Sequence, residues 1–217
     1  LSIWFNIKQF IQKKLKYLAA QGFGFTPKDI ENIFVRILQI QNGFYLNKQS
    51  EKCEVQPNNK LNLLLEILAD IPENEPIIIF CSFPYEVEAI QQKLIDAGYT
   101  DTDIRHGKLS KKKKEAAIEN FVNLSNRIMV ATTASTGTGF TLIQSNNIIY
   151  YSNLFGIVPR LQSEDRIHRI GQTRTCNYFD LIAPGSMDEI VFKFNKRAKG
   201  DLNDFYSFFR NKLIGQK

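Results

Sequence analysis

The sequence predicts a doubly wound α/β fold, a mostly parallel sheet with helices on both faces, preceded by a helical extension. Short runs that are apolar at every position recur at 77–81, 128–131 and 148–151, as expected of strands buried on both faces. Amphipathic helical stretches separate these runs, which argues for right-handed crossovers and parallel pairing. The first 58 residues, in contrast, carry mainly helical periodicity.

Taken in order, Ile3, Phe5, Ile7, Phe10, Ile11, Leu15 and Leu18 fall near helical spacing, with Lys8, Lys13, Lys14 and Lys16 on an outer face. A second helix is signalled by Thr26 as N-cap, Pro27 at the first helical position and Asp29 in the first turn. Its inward residues are Ile30, Ile33, Phe34, Ile37 and Leu38, and Gly43 closes it. Residues 44–46 and 53–55 read as a short hairpin. Leu61, Leu64, Leu65 and Leu68 form another helix that ends before Pro72. After the strand at 77–81 comes a helix over 84–97 with Gly98 as C-cap, then a strand ending near His106. Ser110 opens a helix whose inward residues are Ala117, Ile118 and Phe121. Strands at 128–131, 148–151 and 178–182 follow, with final helices over 186–199 and 202–212. The expected organisation is a helical subdomain at 1–58 and an α/β lobe at 59–217.

The 217 residues are 43% hydrophobic, enough for one large domain or one domain with an added subdomain. Apolar runs are strand-sized, well short of the ~20 residues a membrane span requires, and no signal peptide precedes them. A soluble, non-secreted chain without membrane partners is expected. Cys53, Cys81 and Cys176 show no paired spacing, and His106 and His168 have no Cys or acid cluster beside them; no metal site is expected. The net charge of +6 favours a polyanionic partner, and its distribution matters more: Lys108 and Lys111 to Lys114 place five ammonium groups in seven positions. The chain opens at Leu1 without methionine, which reads as a piece of something longer.

The most informative segment is Gln162-Ser-Glu-Asp-Arg166-Ile-His-Arg169-Ile-Gly171-Gln172. On a helix, two arginines three apart share one face, and two planar cationic forks suit a phosphate chain or a carboxylate. Gly171 would then stop the helix. The plainer reading is a solvated helical face laced by Glu164 and Asp165. Ser82 follows the first buried strand, and 132–139 follows the next with several hydroxyls and the glycines Gly137 and Gly139, which allow a phosphodiester to approach closely. In a parallel sheet both loops lie at the carboxyl ends of strands, where ligands bind. No Gly-x-x-x-x-Gly-Lys-Ser/Thr loop occurs in the sequence, so nucleotide phosphates are not cradled by that route.

In this order the motifs resemble the C-terminal RecA-like lobe of the sucrose-non-fermenting-type (Swi/Snf-like) DNA translocases, a branch of the superfamily-two helicase-like ATPases. The resemblance runs from about Asn59 to Asp204. Ile77 to Ser82 resembles the family's fourth motif, Thr132 to Leu142 its fifth, and Gln162 to Gln172 its sixth. Gly107 and Phe121, with the basic Lys114, fit a further family pattern, and Gly185-Ser-Met-Asp-Glu189 resembles the start of its last helix. Ile37 to Gly43 ahead of Leu61 is similar to phage-type and bacterial members. RNA helicases of the DEAD-box kind carry arginines at the positions of Gln172 and Thr175. Departures are Thr136-Gly137 for a double glycine, Thr141 for an asparagine and Phe155 for a tryptophan.

The resemblance implies one motor lobe of an ATP-dependent translocase on double-stranded DNA. Arg166 and Arg169 would be arginine fingers on ATP, Gln162 would orient them or the nucleotide, and Gly137 and Gly139 would let the adjoining loop move. Ser82, Thr132, Thr133, Lys112 and Lys114 would contact the DNA backbone. Mg2+ would be held by an N-terminal RecA-like lobe of the same protein, so the present lobe alone would be inactive. The location would be cytoplasmic in a bacterium or phage-infected cell and nuclear in a eukaryote. The alternatives are an RNA helicase lobe and a non-catalytic nucleic-acid-binding module.

Overall fold

The structure, a computed structural model, describes residues 27–136 and 140–197. The helices expected at 3–18 and 202–212, the cap at Thr26, and Gly137 and Gly139 lie outside them. The chain divides into two compact units, one of residues 57–183 and the other of the segments on either side. The expected boundary at 58/59 thus has a counterpart near 184, and 184–197 groups with the N-terminal segments rather than with the α/β lobe.

In the flanking unit, helix α1 (Pro27–Gln41) buries Phe34, Ile37 and Leu38, the 3.6-residue stripe expected from the sequence. Gly43, at φ 93°, lets the chain turn directly into β1 (Phe44–Leu46). That strand pairs antiparallel with β2 (Lys52–Glu54). Asn47 makes the hairpin: its Oδ1 accepts the amides of Gln49 (3.0 Å) and Glu51 (2.9 Å), an Asx turn in place of an Asn-Gly dipeptide. The last described helix, α6 (Met187–Arg197), belongs to the same unit, with the Met187 amide donating to the Gln41 side chain at 2.9 Å.

The larger unit runs α2 (Asn59–Asp70), β3 (Ile77–Cys81), α3 (Pro84–Asp96), β4 (Thr102–Arg105), α4 (Lys111–Val122), β5 (Ile128–Thr132), a 3-10 turn (Thr133–Thr136), β6 (Asn147–Tyr150), α5 (Ile157–Glu164) and β7 (Asn177–Asp180). All five strands are parallel, in the order β4-β5-β3-β6-β7. The chain starts in the middle, winds to one edge, returns and winds to the other, so the doubly wound sheet expected from the sequence is the observed fold. β3, β5 and β6 are buried at every position, whereas the edge strands β4 and β7 are mostly half-exposed or exposed.

Alternation along the central strands builds two apolar layers. Ile77, Ile79 and Cys81 face Leu64 and Leu68 of α2 and Val87, Ile90 and Leu94 of α3. Ile78 and Phe80 face Phe121 of α4 together with Leu142 and Ile167. Removing each such isoleucine or leucine from water contributes roughly 1.5–3 kcal/mol. At the amino end of the sheet, Arg127 closes the entry to β3 by donating to the carbonyls of Glu75 (2.9 Å), Ile71 (3.2 Å) and Pro72 (3.0 Å).

At the carboxyl end, Glu86 in the first turn of α3 is 2% exposed. Its Oε2 accepts the amides of Ser82 (3.0 Å) and Phe83 (3.1 Å) and the Ser152 hydroxyl (2.6 Å), while that hydroxyl oxygen also accepts the Ser82 amide at 2.8 Å. The loops after β3 and β6 are thereby tied to one carboxyl group. Burial pushes the Glu86 pKa up to about 7, against the lowering effect of the Ser152 hydrogen bond, of Lys60 and of the two amides. A folded-state pKa above the ordinary 4.5 means stability present below pH 4.5 and lost as pH rises through about 7. Glu86→Gln removes this dependence. Relative to wild type, the variant should gain about 3 kcal/mol between pH 4.5 and 8, measured by urea unfolding; an equal gap at both pH values would mean an unshifted carboxyl.

Candidate functional site

The connection from β5 to β6 is bonded at its start to Arg105, which also bonds the first turn of α4, and at its end to the turn that carries Arg166 and Arg169. Each of these segments is positioned by identifiable local chemistry.

The arginine segment departs from its expected helical form. Helix α5 ends at Glu164, and Arg166 and Arg169 lie in the succession of turns that follows. The physical reason is a competing partner: the Arg166 carbonyl accepts the Leu142 amide at 2.8 Å, so it is directed to a neighbouring segment rather than up a helix. Gly171 accordingly does not stop the helix. At φ 105° it reverses the chain beside Ile143, whose Cδ1 would lie 3.1 Å from an added Cβ. Ile167, fully buried between the two arginines, plugs the turn into the apolar layer with Phe80, Leu142, Ile148 and Tyr150.

Further bonds clasp this turn to the β5–β6 connection. Arg169 donates from Nη1 to the Thr141 hydroxyl at 3.1 Å, while the rest of its side chain is exposed. Gln172 donates from Nε2 to the carbonyls of Ile143 (3.1 Å) and Ser145 (2.9 Å), and its Oε1 accepts the Arg174 amide at 3.1 Å. Arg174 in turn donates to the Gln144 carbonyl. The neutral amide that sets this segment apart from the DEAD-box pattern is thus a structural clasp.

Gln162 is exposed on α5, one turn before Arg166. Behind it lies a network that sequence reasoning does not find. Arg160 makes a two-pronged contact with Asp180 (2.5 and 3.1 Å) and donates from Nε to Glu164 at 2.8 Å, with its guanidinium 4.0 Å from the centre of the Tyr150 ring. Burial disfavours its charge, but the hydrogen bonds and charge of Asp180, joined by Glu164, outweigh that and raise its pKa above the ordinary arginine value. Burial likewise raises Tyr150, and pushes Tyr178 up to about 12. The sequence signal for this network is limited to an arginine with Glu four residues on.

The remaining expected residues lie at the carboxyl ends of β3, β4 and β5. Ser82 is half-buried, its amide held by Glu86 and Ser152. Thr132 closes β5 at 4% exposure, and its carbonyl accepts the Ser135 hydroxyl at 2.7 Å. Thr133, half-buried, begins the 3-10 turn. Lys112 is exposed in the first turn of α4, and Lys114 is half-buried with Nζ 3.4 Å from the Gly107 carbonyl. Ser110 caps that helix by accepting the Lys113 amide at 3.3 Å. Four lysines crowd a helix N-terminus, where the macrodipole disfavours cations.

Of these residues Lys114 lines a groove of about 810 Å³, together with Arg105, Lys111, Ser135, Phe140 and the acids Glu115 and Glu119, and Lys111 pairs with Glu115 at 3.8 Å. Arg105 crosses it, donating to the carbonyls of Ser135 (3.0 Å) and Lys114 (2.5 Å) with its guanidinium 4.8 Å from the Phe140 ring centre. His106, 1% exposed, follows β4 with Nε2 3.6 Å from Glu88. Burial holds its pKa below the ordinary 6.5; Glu88 offsets part of this, and Lys108 and Lys114 add to it. The imidazole is therefore neutral at pH 7, and the contact with Glu88 is no full ion pair. Among the described residues no cluster of three or more His, Cys, Asp or Glu side chains is placed to hold a metal, and no helix is long and apolar enough to cross a membrane.

A parallel sheet in this order, with an arginine-bearing final crossover pinned to the connection between its second and fourth strands, is the architecture of the C-terminal RecA-like lobe of helicases. The family model of the helicase conserved C-terminal domain matches residues 59–171, more than half of the chain, and the chain belongs to that family. Its relatives place it with the Swi/Snf-like ATPases. It is 25% identical over 162 residues to the putative ATP-dependent helicase/translocase YwqA of Bacillus subtilis, covering 74% of this chain and 17% of that protein. It is 28% identical over 135 residues to the ATP-dependent helicase fft1 of Schizosaccharomyces pombe, covering 61% and 14%. The crystal structure of the C-terminal part of the Fun30 ATPase domain superposes with a TM-score of 0.62 at 24% identity, covering 73% of this chain and 53% of that one. The chain thus spans less than a fifth of the length of these curated relatives.

The clasp can be tested directly. Gln172→Ala should cost about 1–3 kcal/mol for its two hydrogen bonds to the connection and the one it accepts from the Arg174 amide, and amide hydrogen exchange should rise at 142–146 while β3 stays protected. Unchanged exchange there would show that Gln172 does not hold the connection.

Proposed function

We propose that this lobe is the arginine-supplying half of an ATP-dependent double-stranded DNA translocase. The observation that carries the reading is the arginine turn, which is built without a helix, anchored by Ile167, and clasped to the connection that leads from the groove. Arg166 and Arg169 would meet the γ-phosphate of ATP held by an N-terminal RecA-like lobe and stabilise charge as it develops. Such fingers typically contribute ~10³ to 10⁵ in rate, or about 4 to 7 kcal/mol. A lysine cannot reproduce the planar fork. The exposed amide of Gln162 is suited to orient them or the nucleotide, and Gly137 and Gly139 would give the connection its freedom. Mg2+, which neutralises phosphate charge when bound, finds no acidic cluster among the described residues, so its ligands would come from that other lobe.

The proposed DNA contact is the rim at the carboxyl ends of β3, β4 and β5, which includes the groove. Lys112 and Lys114 would meet backbone phosphates together with Ser82 and Thr133, contacts that position without reading bases. Thr132 fits a supporting role better than direct contact, because it is buried at 4% exposure. Repulsion among lysines at the unfavourable end of α4 would be relieved by a phosphate, which is a physical reason to place them there.

Three outcomes test this. Arg169→Lys in the full-length protein should abolish ATP hydrolysis and spare DNA binding, and a nearly normal rate would remove the finger role. Replacing Lys111 to Lys114 should flatten the salt dependence of DNA binding, its log–log slope falling by about one for each phosphate no longer neutralised; an unchanged slope returns them to a solvated face. The present chain alone should show no DNA-stimulated ATP turnover, and measurable hydrolysis by purified material would contradict the missing-half reading.

A further inference from the structure

We infer that Arg160 is a positioning residue, whose clasp on Asp180, Glu164 and Tyr150 sets the pose of the arginine turn from behind. This rests on the proposed roles of Arg166 and Arg169 and deepens them. Apolar packing does little to hold α5. The helix has only eight residues and starts after Gly156, at φ 109°, with no side-chain cap; a helix this short is marginal without tertiary support. Its apolar side chains supply little of that support, since Val158 is 58% and Leu161 46% exposed, Ile157 is only half-buried, and Ser163 is its one buried residue.

Polar contacts hold it instead. Asp180 is the last residue of β7 and takes both prongs of Arg160, while Asn153, from the loop after β6, donates to the same Asp180 Oδ1 at 3.0 Å. Tyr150, the last residue of β6, stacks under the guanidinium and shares a hydrogen bond of 2.7 Å with the Ser163 hydroxyl. That hydroxyl also donates to the Arg160 carbonyl at 2.7 Å. One side chain therefore registers α5 against the ends of two strands.

Glu164 passes the constraint on. Its carboxylate takes the Arg160 Nε, and its backbone carbonyl accepts the amides of Ile167 (3.0 Å) and His168 (2.8 Å), the residues between the two arginines. The turn is thus held in front by the β5–β6 connection and behind by Arg160. Catalytic geometry is sensitive to displacements of about 1 Å, so loosening the rear anchor should lower turnover more than nucleotide binding.

The test uses the full-length protein. Arg160→Ala and Asp180→Asn should each lower kcat between about ten- and a hundredfold, with the KM for ATP within about threefold of wild type. Arg160→Lys, which keeps a charge but loses the fork, should fall between them and wild type. Affinity for a fluorescent ATP analogue and the thermal melt are measured in parallel, and if Arg160→Ala does not fold, the other two variants decide. The inference is overturned if folded Arg160→Lys and Asp180→Asn both turn over within about twofold of wild type, or if activity falls only in proportion to the folded fraction. Arg169→Lys in the same assay separates the two claims. If it hydrolyses ATP normally, the finger reading fails; if it is dead while the Arg160 variants are normal, only the rear clasp fails.

Discussion

The hydrogen bond from the Leu142 amide to the Arg166 carbonyl decides what the final third of the larger unit can be. Without it, the run from Ile157 through Ile170 has the composition to continue as one helix, with both arginines side by side on a solvated face. With it, α5 ends at Glu164, Ile167 turns inward to the apolar layer, and the chain carries its arginines along the β5–β6 connection. Gln172 and Arg169 reinforce the same seam from either side. The amide and carbonyl satisfy one another, so opening the seam would strand two polar groups at once.

Several local rules are broken in this unit. Lysines fill the first turn of α4, where acids would be favoured. A carboxyl group is buried at Glu86, where desolvation raises its pKa. Ile170 stands 99% exposed directly after Arg169. In a sequence shaped for folding alone each position would have a more favourable occupant, and such conflicts are expected where a surface is built to meet something else. The amino end of the sheet is closed instead by hydrogen bonds, from Arg127 to three carbonyls and from the Ser145 hydroxyl to the Pro76 carbonyl.

Much of the fold is legible in the sequence because its signals are local. The apolar run 77–81 reads as a strand buried on both faces, Gly98 stands at φ 92° where a helix must end, and Ser110 caps as a serine before a helix does. The form of the arginine turn is not legible, since the partner that redirects the Arg166 carbonyl lies far earlier in the chain, at Leu142. Arg160 escapes notice for the same reason: its meaning depends on Asp180, 20 residues away on another element. The grouping of 184–197 with the N-terminal segments is a further long-range fact, carried by contacts such as Met187 with Gln41, which no periodicity announces.

The β5–β6 connection is where the two proposed activities meet. Its first part, through Ser135, is bonded to Arg105 in the groove; its last part, from Thr141 to Ser145, is bonded to the arginine turn. Helix α5 packs beside the Thr133–Thr136 turn as well, so the rear anchor of the arginines and the rim of the groove are neighbours. A phosphate seated in the groove would act on Arg105 and the lysines, and through Ser135 on the segment whose far end sets Thr141 and Leu142. Coupling of this kind needs an element with two arrangements that both sites bias.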